Sequence, residues 1–424
     1  VTDNAGAVRA EPADLAGRSR APLYVVLGST AVNVFGSAIT VVAVPLLVLH
    51  LTGSALHLGL VGAFEAVGLV LGNTFGGALA DRFGARRTAI GGSSAAGLIL
   101  MLIPLLGGFG ALNVAVLCAI GLAANACGST GGMARRGLVN QVAERAGVNV
   151  DRAESAYQFL LSAGYVGGLA LAGLLAAAVD LPTLIWIDAG SFLLTAAVVT
   201  AVRYRRVRQA APDGGGLLAD WLDGLRTAWR QPPVRLALIA GCVISGVAAA
   251  TGTVVLPLYG TRPGAPEGGL GWLLGASTVG SLLGLGLYTL MVNRVSRWAA
   301  LLACLAVEGA AMFAFVAVPT FGARLVFLAL AGLGSGPVVP LVMSLIRRFT
   351  PEEMHGRVLG LFFAAATGLS PLANVVAGAI LEFAPLWTVP AFQGAVLLGL
   401  SVPLALRMRA AMATLDAQNE SGGT

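Results

Sequence analysis

Residues 77–87 read Gly-Ala-Leu-Ala-Asp-Arg-Phe-Gly-Ala-Arg-Arg and interrupt two long apolar runs with the charges Asp81, Arg82, Arg86 and Arg87. An apolar helix of about 20–25 residues crosses a bilayer. A stretch carrying both signs of charge cannot rest in hydrocarbon beside it, so it must emerge on one face. Its arginines assign that face to the cytoplasm, because basic residues concentrate in cytoplasmic loops.

The surrounding chain fits that reading. It is 57% hydrophobic and 11% charged, where a soluble domain carries about 25% charged residues. Apolar segments long enough to span occur at 23–49, 55–80, 88–107, 112–133, 155–179, 182–202, 235–259, 269–292, 298–318, 322–345, 357–382 and 388–406. Glycine reaches 58 residues, as expected where helices pack closely in lipid. All 26 basic residues are arginine, and 24 of them lie in the two tails and in the loops after even-numbered spans. Arg262 and Arg324 are the exceptions. The net charge of +6 therefore expresses membrane orientation and not a nucleic-acid surface. Both termini are expected in the cytoplasm, and the protein in a bacterial cytoplasmic membrane. The polar residues 1–22 read as a short cytoplasmic tail without the apolar core of a cleaved signal.

The chain divides into a tail (1–22), a six-span half (23–202), a linker (203–234), a second half (235–406) and a cytoplasmic tail (407–424). The linker opens with Arg203 to Arg208 and then sets Leu218, Trp221, Leu222, Leu225 and Trp229 at helical spacing. That pattern suits an amphipathic helix, either in the membrane interface or packed on the bundle. The halves repeat. A shift of 212 residues superposes Pro45 on Pro257, Gly59 on Gly271, Gly68 on Gly280, Gly72 on Gly284 and Arg82 on Arg294. A shift of 205 superposes Arg152 on Arg357 and Gly173 on Gly378. Parallel repeats of this kind place a binding site near the midplane between the halves.

Chemistry of other kinds has nowhere to sit. With no lysine in the chain a phosphate-binding loop lacks its lysine, and no segment is large enough for an ATPase or catalytic domain. The four cysteines lie in apolar runs and the three histidines are scattered, so neither a metal site nor a disulfide framework is expected. No cofactor and no enzymatic activity follow. What remains is movement of a small molecule across the membrane.

The 77–87 stretch resembles the signature loop between helices two and three of the major facilitator superfamily, Gly-x-Leu-Ala-Asp-Arg-x-Gly-Arg-(Arg/Lys). Ala85 stands where a basic residue is usual. Three phrases are similar to the branch holding macrolide exporters and the enterobactin exporter: Leu49-x-Leu-Thr-Gly-Ser-Ala-Leu56, Asp188-Ala-Gly-Ser-Phe-Leu193 and Pro351-Glu-Glu-x-x-Gly-Arg-Val358. The resemblance implies an all-α integral membrane fold of twelve transmembrane helices in two pseudo-symmetric six-helix halves. It implies a monomer exporting a hydrophobic, drug-like molecule or natural product, with the proton gradient as energy source. Import of a nutrient, or a membrane sensor that transports nothing, are the alternatives. By the same resemblance, Asp81, Arg82 and Arg86 form a cytoplasmic gate between the halves, with Asp81 bonding toward the start of helix eleven. Many proton-coupled members carry an arginine in the middle of helix four, and residues 112–132 contain none. Leu169 occupies a helix-five position where proline is common.

Ionisable residues inside spans cost roughly 2.5–3.5 kcal/mol on insertion scales and need a reason to be there. Glu65, Glu308 and Asp188 are the candidates for proton coupling. Glu65 shares a helical face with Gly68, Gly72 and Gly76, a pattern that marks close approach of another helix and turns Glu65 into the bundle. The resemblance makes helices six and nine peripheral, which favours structural roles for Asp188 and Glu308. Asn33, Phe35, Asn125, Tyr157, Gln158, Thr251 and Asn374 either line a solute path, with Tyr165 adding stacking surface, or form bonds and packing between helices.

The topology is directly testable. A cysteine introduced at Gly214 is expected to react only with reagent on the cytoplasmic face, and one at Gly264 only with reagent outside. Labelling of both from one side would overturn the twelve-span arrangement.

Overall fold

The computed structural model describes residues 20–202, 225–226, 229–291, 294–351 and 354–421, with side-chain environments for all of these except 170, 173, 174, 176, 177, 356, 357 and 407–421. The linker's amphipathic stretch lies largely outside the described residues. Its Leu225 packs against the core of the second half, and Trp229 lies under Arg235, 5.9 Å from guanidinium carbon to ring centre.

Among the described residues, twelve long helical rods follow one another. The first six are α1 (Ala21–Thr52), α2 (Ala55–Phe83), α3 (Ala85–Gly108), α4 (Val114–Arg145), α5 (Val150–Ala178) and α6 (Leu181–Ala201). The second six are α7 (Pro232–Gly260), α8 (Gly269–Met291), α9 (Arg297–Ala317), α10 (Phe321–Phe349), α11 (His355–Phe383) and α12 (Thr388–Ser421). Among the described residues, 11 are long and apolar enough to cross a membrane. The remaining rod, α5, has 29 residues and packs along α1. The helix α12 continues through the stretch expected as a tail, and α4 runs well past the expected end of its span.

Two rods are locally broken, each beside proline. Proline lacks an N–H and its ring collides with the carbonyl four residues back. In α7 a π-helical turn, Thr251–Val255, precedes Pro257, and the Leu256 N–H reaches back to the Thr251 carbonyl. In α10 the helix stops at Ser335 and resumes at Val338 across Gly336-Pro337.

The repeat seen in sequence is a repeat of contacts. In the first half α2 packs on α4, α3 on α4 and α6, and α1 on α5. In the second, α8 packs on α10, α9 on α10 and α12, and α7 on α11. The superposed glycines do the same work in both. A Cβ on Gly68 or Gly72 would strike the carbonyl oxygens of Leu122 or Ala126 in α4. A Cβ on Gly280 or Gly284 would strike those of Ala329 or Leu333 in α10. Backbone meets backbone there because no side chain intervenes.

The core reports how the halves meet. At the end opposite the arginine-rich loops, one continuous cluster joins both, from Ala38–Val48 and Leu58 through Val254–Tyr259, Leu270–Leu274 and Phe315 to Ala377. At the arginine-rich end it splits. One cluster holds Leu23, Leu138, Val142 and Tyr157 of the first half, and another holds Val234, Leu301, Leu341 and Phe362 of the second. The halves are therefore fused at one end and separate at the other. α2 against α11 and α5 against α8 make the principal cross-contacts.

A polar latch sits at the fused end. The Glu382 carboxylate, at the end of α11, accepts from Ser54 Oγ at 2.8 Å and from the Leu56 N–H at 3.0 Å. It thereby sits at the positive N-terminus of α2, where an anion is favoured. Glu382→Ala is expected to loosen this end. Spin labels at Leu51 and Phe383 should then show a longer-distance population severalfold larger than in the native chain; an unchanged distribution would remove the latch.

Candidate transport pathway

The expected charged loop is barely a loop. Asp81 and Arg82 belong to the last turn of α2, Arg86 and Arg87 to the first turn of α3, and Gly84 alone joins them. Gly84 has φ 93°, a left-handed value that residues with a Cβ avoid. Its N–H still bonds the Ala80 carbonyl at 2.8 Å, and Thr88 Oγ1 donates to the Leu79 carbonyl at 3.1 Å. Arg86 reaches the end of α6, donating through Nε to the Val199 carbonyl at 3.3 Å and through Nη2 to that of Thr200. These are carbonyls that a helix end leaves without partners, and a cation suits them. In this state Arg86 thus braces the first half internally. Arg82 lies 5.5 Å from the Phe83 ring centre, and Asp81 is exposed.

Three acids inside spans occupy different environments. Asp188 is fully buried between α6 and α1, within a cage of hydroxyls. Thr40 Oγ1 donates at 2.6 Å, Ser191 Oγ at 3.1 Å and Ser37 Oγ at 3.4 Å. Such an acid is tied in place. Glu308 in α9 is buried, its Oε2 has no partner, and it abuts Gly334 immediately before the break in α10. Glu65 is half-buried on α2. Its stem fills the space above Gly121 of α4, which any larger residue would close.

The polar candidates for a solute path lie mostly between helices. Asn33 is buried and accepts from an arginine described below. Thr251, at the π turn, donates to Gln393 Oε1 of α12 at 3.0 Å. Asn374 is buried where α11 meets Gly59 and Gly62 of α2. Tyr157 is buried, and Phe35 packs on Gly167 and Gly168 of α5. Asn125 Nδ2 donates to the Gly121 carbonyl of its own helix at 3.0 Å. Gln158 is exposed, with Asn125 and Tyr165 partly so.

Sequence reading assigned Arg135 to a loop, and the structure corrects it. Because α4 continues to Arg145, Arg135 lies inside the first half, 3% exposed. Nη2 donates to Asn33 Oδ1 of α1 at 2.7 Å and Nη1 to Ser93 Oγ of α3 at 3.4 Å, with Tyr157 of α5 alongside. Nε has no partner. Its partners are neutral dipoles, and among the described residues no carboxylate pairs with the cation. Arg136, one residue on, faces outward and pairs with Glu154 of α5. The signal was present: Gly131, Ala134, Leu138, Val139 and Val142 continue a buried helical face, and Arg135 falls on it.

Comparison with known proteins bears on this geometry. The sequence profile of the Major Facilitator Superfamily matches residues 26–268 and 263–422. The chain is 31% identical over 394 residues to the multidrug efflux pump Tap of Mycolicibacterium fortuitum, covering 91% of this chain and 94% of that protein. It is 28% identical over 375 residues to the Tap pump of Mycobacterium tuberculosis, covering 87% and 89%. In fold it is similar to the nucleoside transporter NupG, with a TM-score of 0.76 at 12% identity over 92% of this chain and 98% of that one. It is also similar to an auto-inhibited peptide transporter of the POT family, with a TM-score of 0.65 at 17% identity over 92% and 97%.

A buried cation without a counter-ion is costly to fold, and apolar replacement of buried charge is often neutral or stabilising. Arg135→Met is therefore expected to melt at or above the native temperature while transport falls at least tenfold. Native transport by this variant would make Arg135 a structural residue only.

Proposed function

The chain belongs to the Major Facilitator Superfamily and is a membrane transporter, and we propose that it exports hydrophobic, drug-like molecules by proton-coupled alternating access. The carrying observation is the divided core: two halves share one apolar cluster at the far end and keep separate clusters at the arginine-rich end. In this reading the arginine-rich end faces the cytoplasm and the cleft between the half-cores is open toward it. A solute enters there, the halves rock, the latch at Glu382 releases, and the solute leaves outside. The likeness to Tap efflux pumps supports a drug-like cargo.

Closure of the cytoplasmic side brings the end of α2 toward the start of α11. Asp81 then meets the positive N-terminus of α11, an arrangement favoured by the helix dipole, and Arg82 completes the gate. Arg86, braced on α6, makes the tip of α2 move with its half.

Glu65 carries the proton. It sits on the cross-half helix α2, with its stem against Gly121 of α4. A proton taken up outside can be carried inward on its carboxylate and released as access alternates. Moving one charge across 100 mV supplies about 2.3 kcal/mol. Asp188 serves as the structural tie its three hydroxyl donors suggest, and Glu308 is the second acid in line.

Uptake of a lipophilic drug into inverted membrane vesicles, driven by an imposed pH gradient and collapsed by a protonophore, tests the whole reading. Glu65→Gln keeps the shape and bonding of the neutral acid. It is expected to abolish uphill, gradient-driven transport while leaving downhill movement within about twofold. Native uphill rates in Glu65→Gln would transfer the role to Glu308.

A further inference from the structure

At the arginine-rich end, α9 and the second segment of α10 border an open cleft of about 510 Å³, lined by Arg297, Pro340, Met343, Ser344, Arg347 and Arg348. The amphipathic segment Val338–Phe349 buries Val338, Leu341, Val342, Leu345 and Ile346 in the second-half core. The cleft residues occupy its opposite face. Arginines at this end of a membrane protein are expected from topology alone, and Arg347 and Arg348 also complement the carbonyl end of their own helix.

Arg297 is different. It is the first residue of α9, whose opening turn has no acid, so a cation there stands on the positive end of a helix dipole. Its Nε is enclosed without a partner, and the other charges on the cleft are again cations. Three guanidinium groups and a helix N-terminus converge on one space, and among the described residues its lining contains no carboxylate. Such a site is completed by an anion with several acceptor oxygens, a phosphate above all.

The cleft is also graded in polarity. The arginines stand at the end of α10, while Pro340 and Met343 lie one to two turns deeper. Trp298 and Phe349, next to Arg297 and Arg348 in sequence, pair with ring centres 6.4 Å apart and pack against the second-half core. An occupant with a phosphate at one end and hydrocarbon at the other satisfies both ends. We infer that this cleft binds the headgroup of an anionic phospholipid from the leaflet at the arginine-rich end.

The test uses the full chain in phosphatidylcholine nanodiscs containing graded amounts of phosphatidylglycerol, with native mass spectrometry counting retained phosphatidylglycerol. The native chain is expected to hold a tightly retained molecule. Arg297→Gln/Arg347→Gln should need at least tenfold more phosphatidylglycerol for equal occupancy, whereas Arg262→Gln at the opposite end should match the native chain. Ser344→Glu, which supplies its own anion to the cleft, should lose phosphatidylglycerol while melting no lower than the native chain. That variant separates loss of the site from loss of the fold. Equal retention in the double variant and the native chain overturns the assignment. So does displacement of the lipid by inorganic phosphate at comparable concentration, which would mark a small-anion site.

Discussion

The direct contact of backbone with backbone between α2 and α4, and again between α8 and α10, is the constraint on which this architecture rests. In lipid no hydrophobic force draws helices together, so they associate by close packing and by bonds between polar groups. Gly68 and Gly72 in one half, and Gly280 and Gly284 in the other, let each helix reach its neighbour's carbonyls. Once α2 and α8 are fixed this way, their remaining faces are free to meet α11 and α5 across the halves. Gly59 continues the logic by admitting the Asn374 carbonyl of α11. The same device thus builds each half and then joins the two.

Much of this was legible in the sequence. Hydropathy locates the spans because a bilayer punishes exposed polar groups uniformly. The shared offset of glycines, a proline and an arginine announces the repeat because both halves solve the same packing problem. The functional interior was less legible. A polar residue in a span looks the same whether it faces a solute or a neighbouring helix, and the structure shows Asn33, Thr251 and Asn374 engaged with neighbouring helices. Arg135 escaped because hydropathy ends a span at the first pair of charges. The helix does not end there; its buried face runs on for about two more turns.

The repeat also shows where the halves have diverged. Gly131 of α4 rests against Ser93 of α3, and Gly334 of α10 rests against Glu308 of α9. Equivalent helix pairs thus carry different chemistry. Ser93 helps hold a buried cation, whereas its counterpart is a buried acid with an oxygen left unpartnered. Neither group is needed for packing, since the opposite half manages without it. Charge has been added to a symmetric scaffold in an asymmetric way.

The single glycine between α2 and α3 has a mechanical consequence. With one residue as joint, and with Arg86 pinned to the end of α6, the tips of three helices form one stiff bracket. α2 has 29 residues and is anchored at its other end by the fused core, so it acts as a lever about 44 Å long. A tilt of roughly 10° about that fulcrum sweeps its tip through about 8 Å. Small slippage among glycines at the pivot is thereby magnified into a displacement comparable with the width of a helix, and the bracket delivers that stroke to α3 and α6 together.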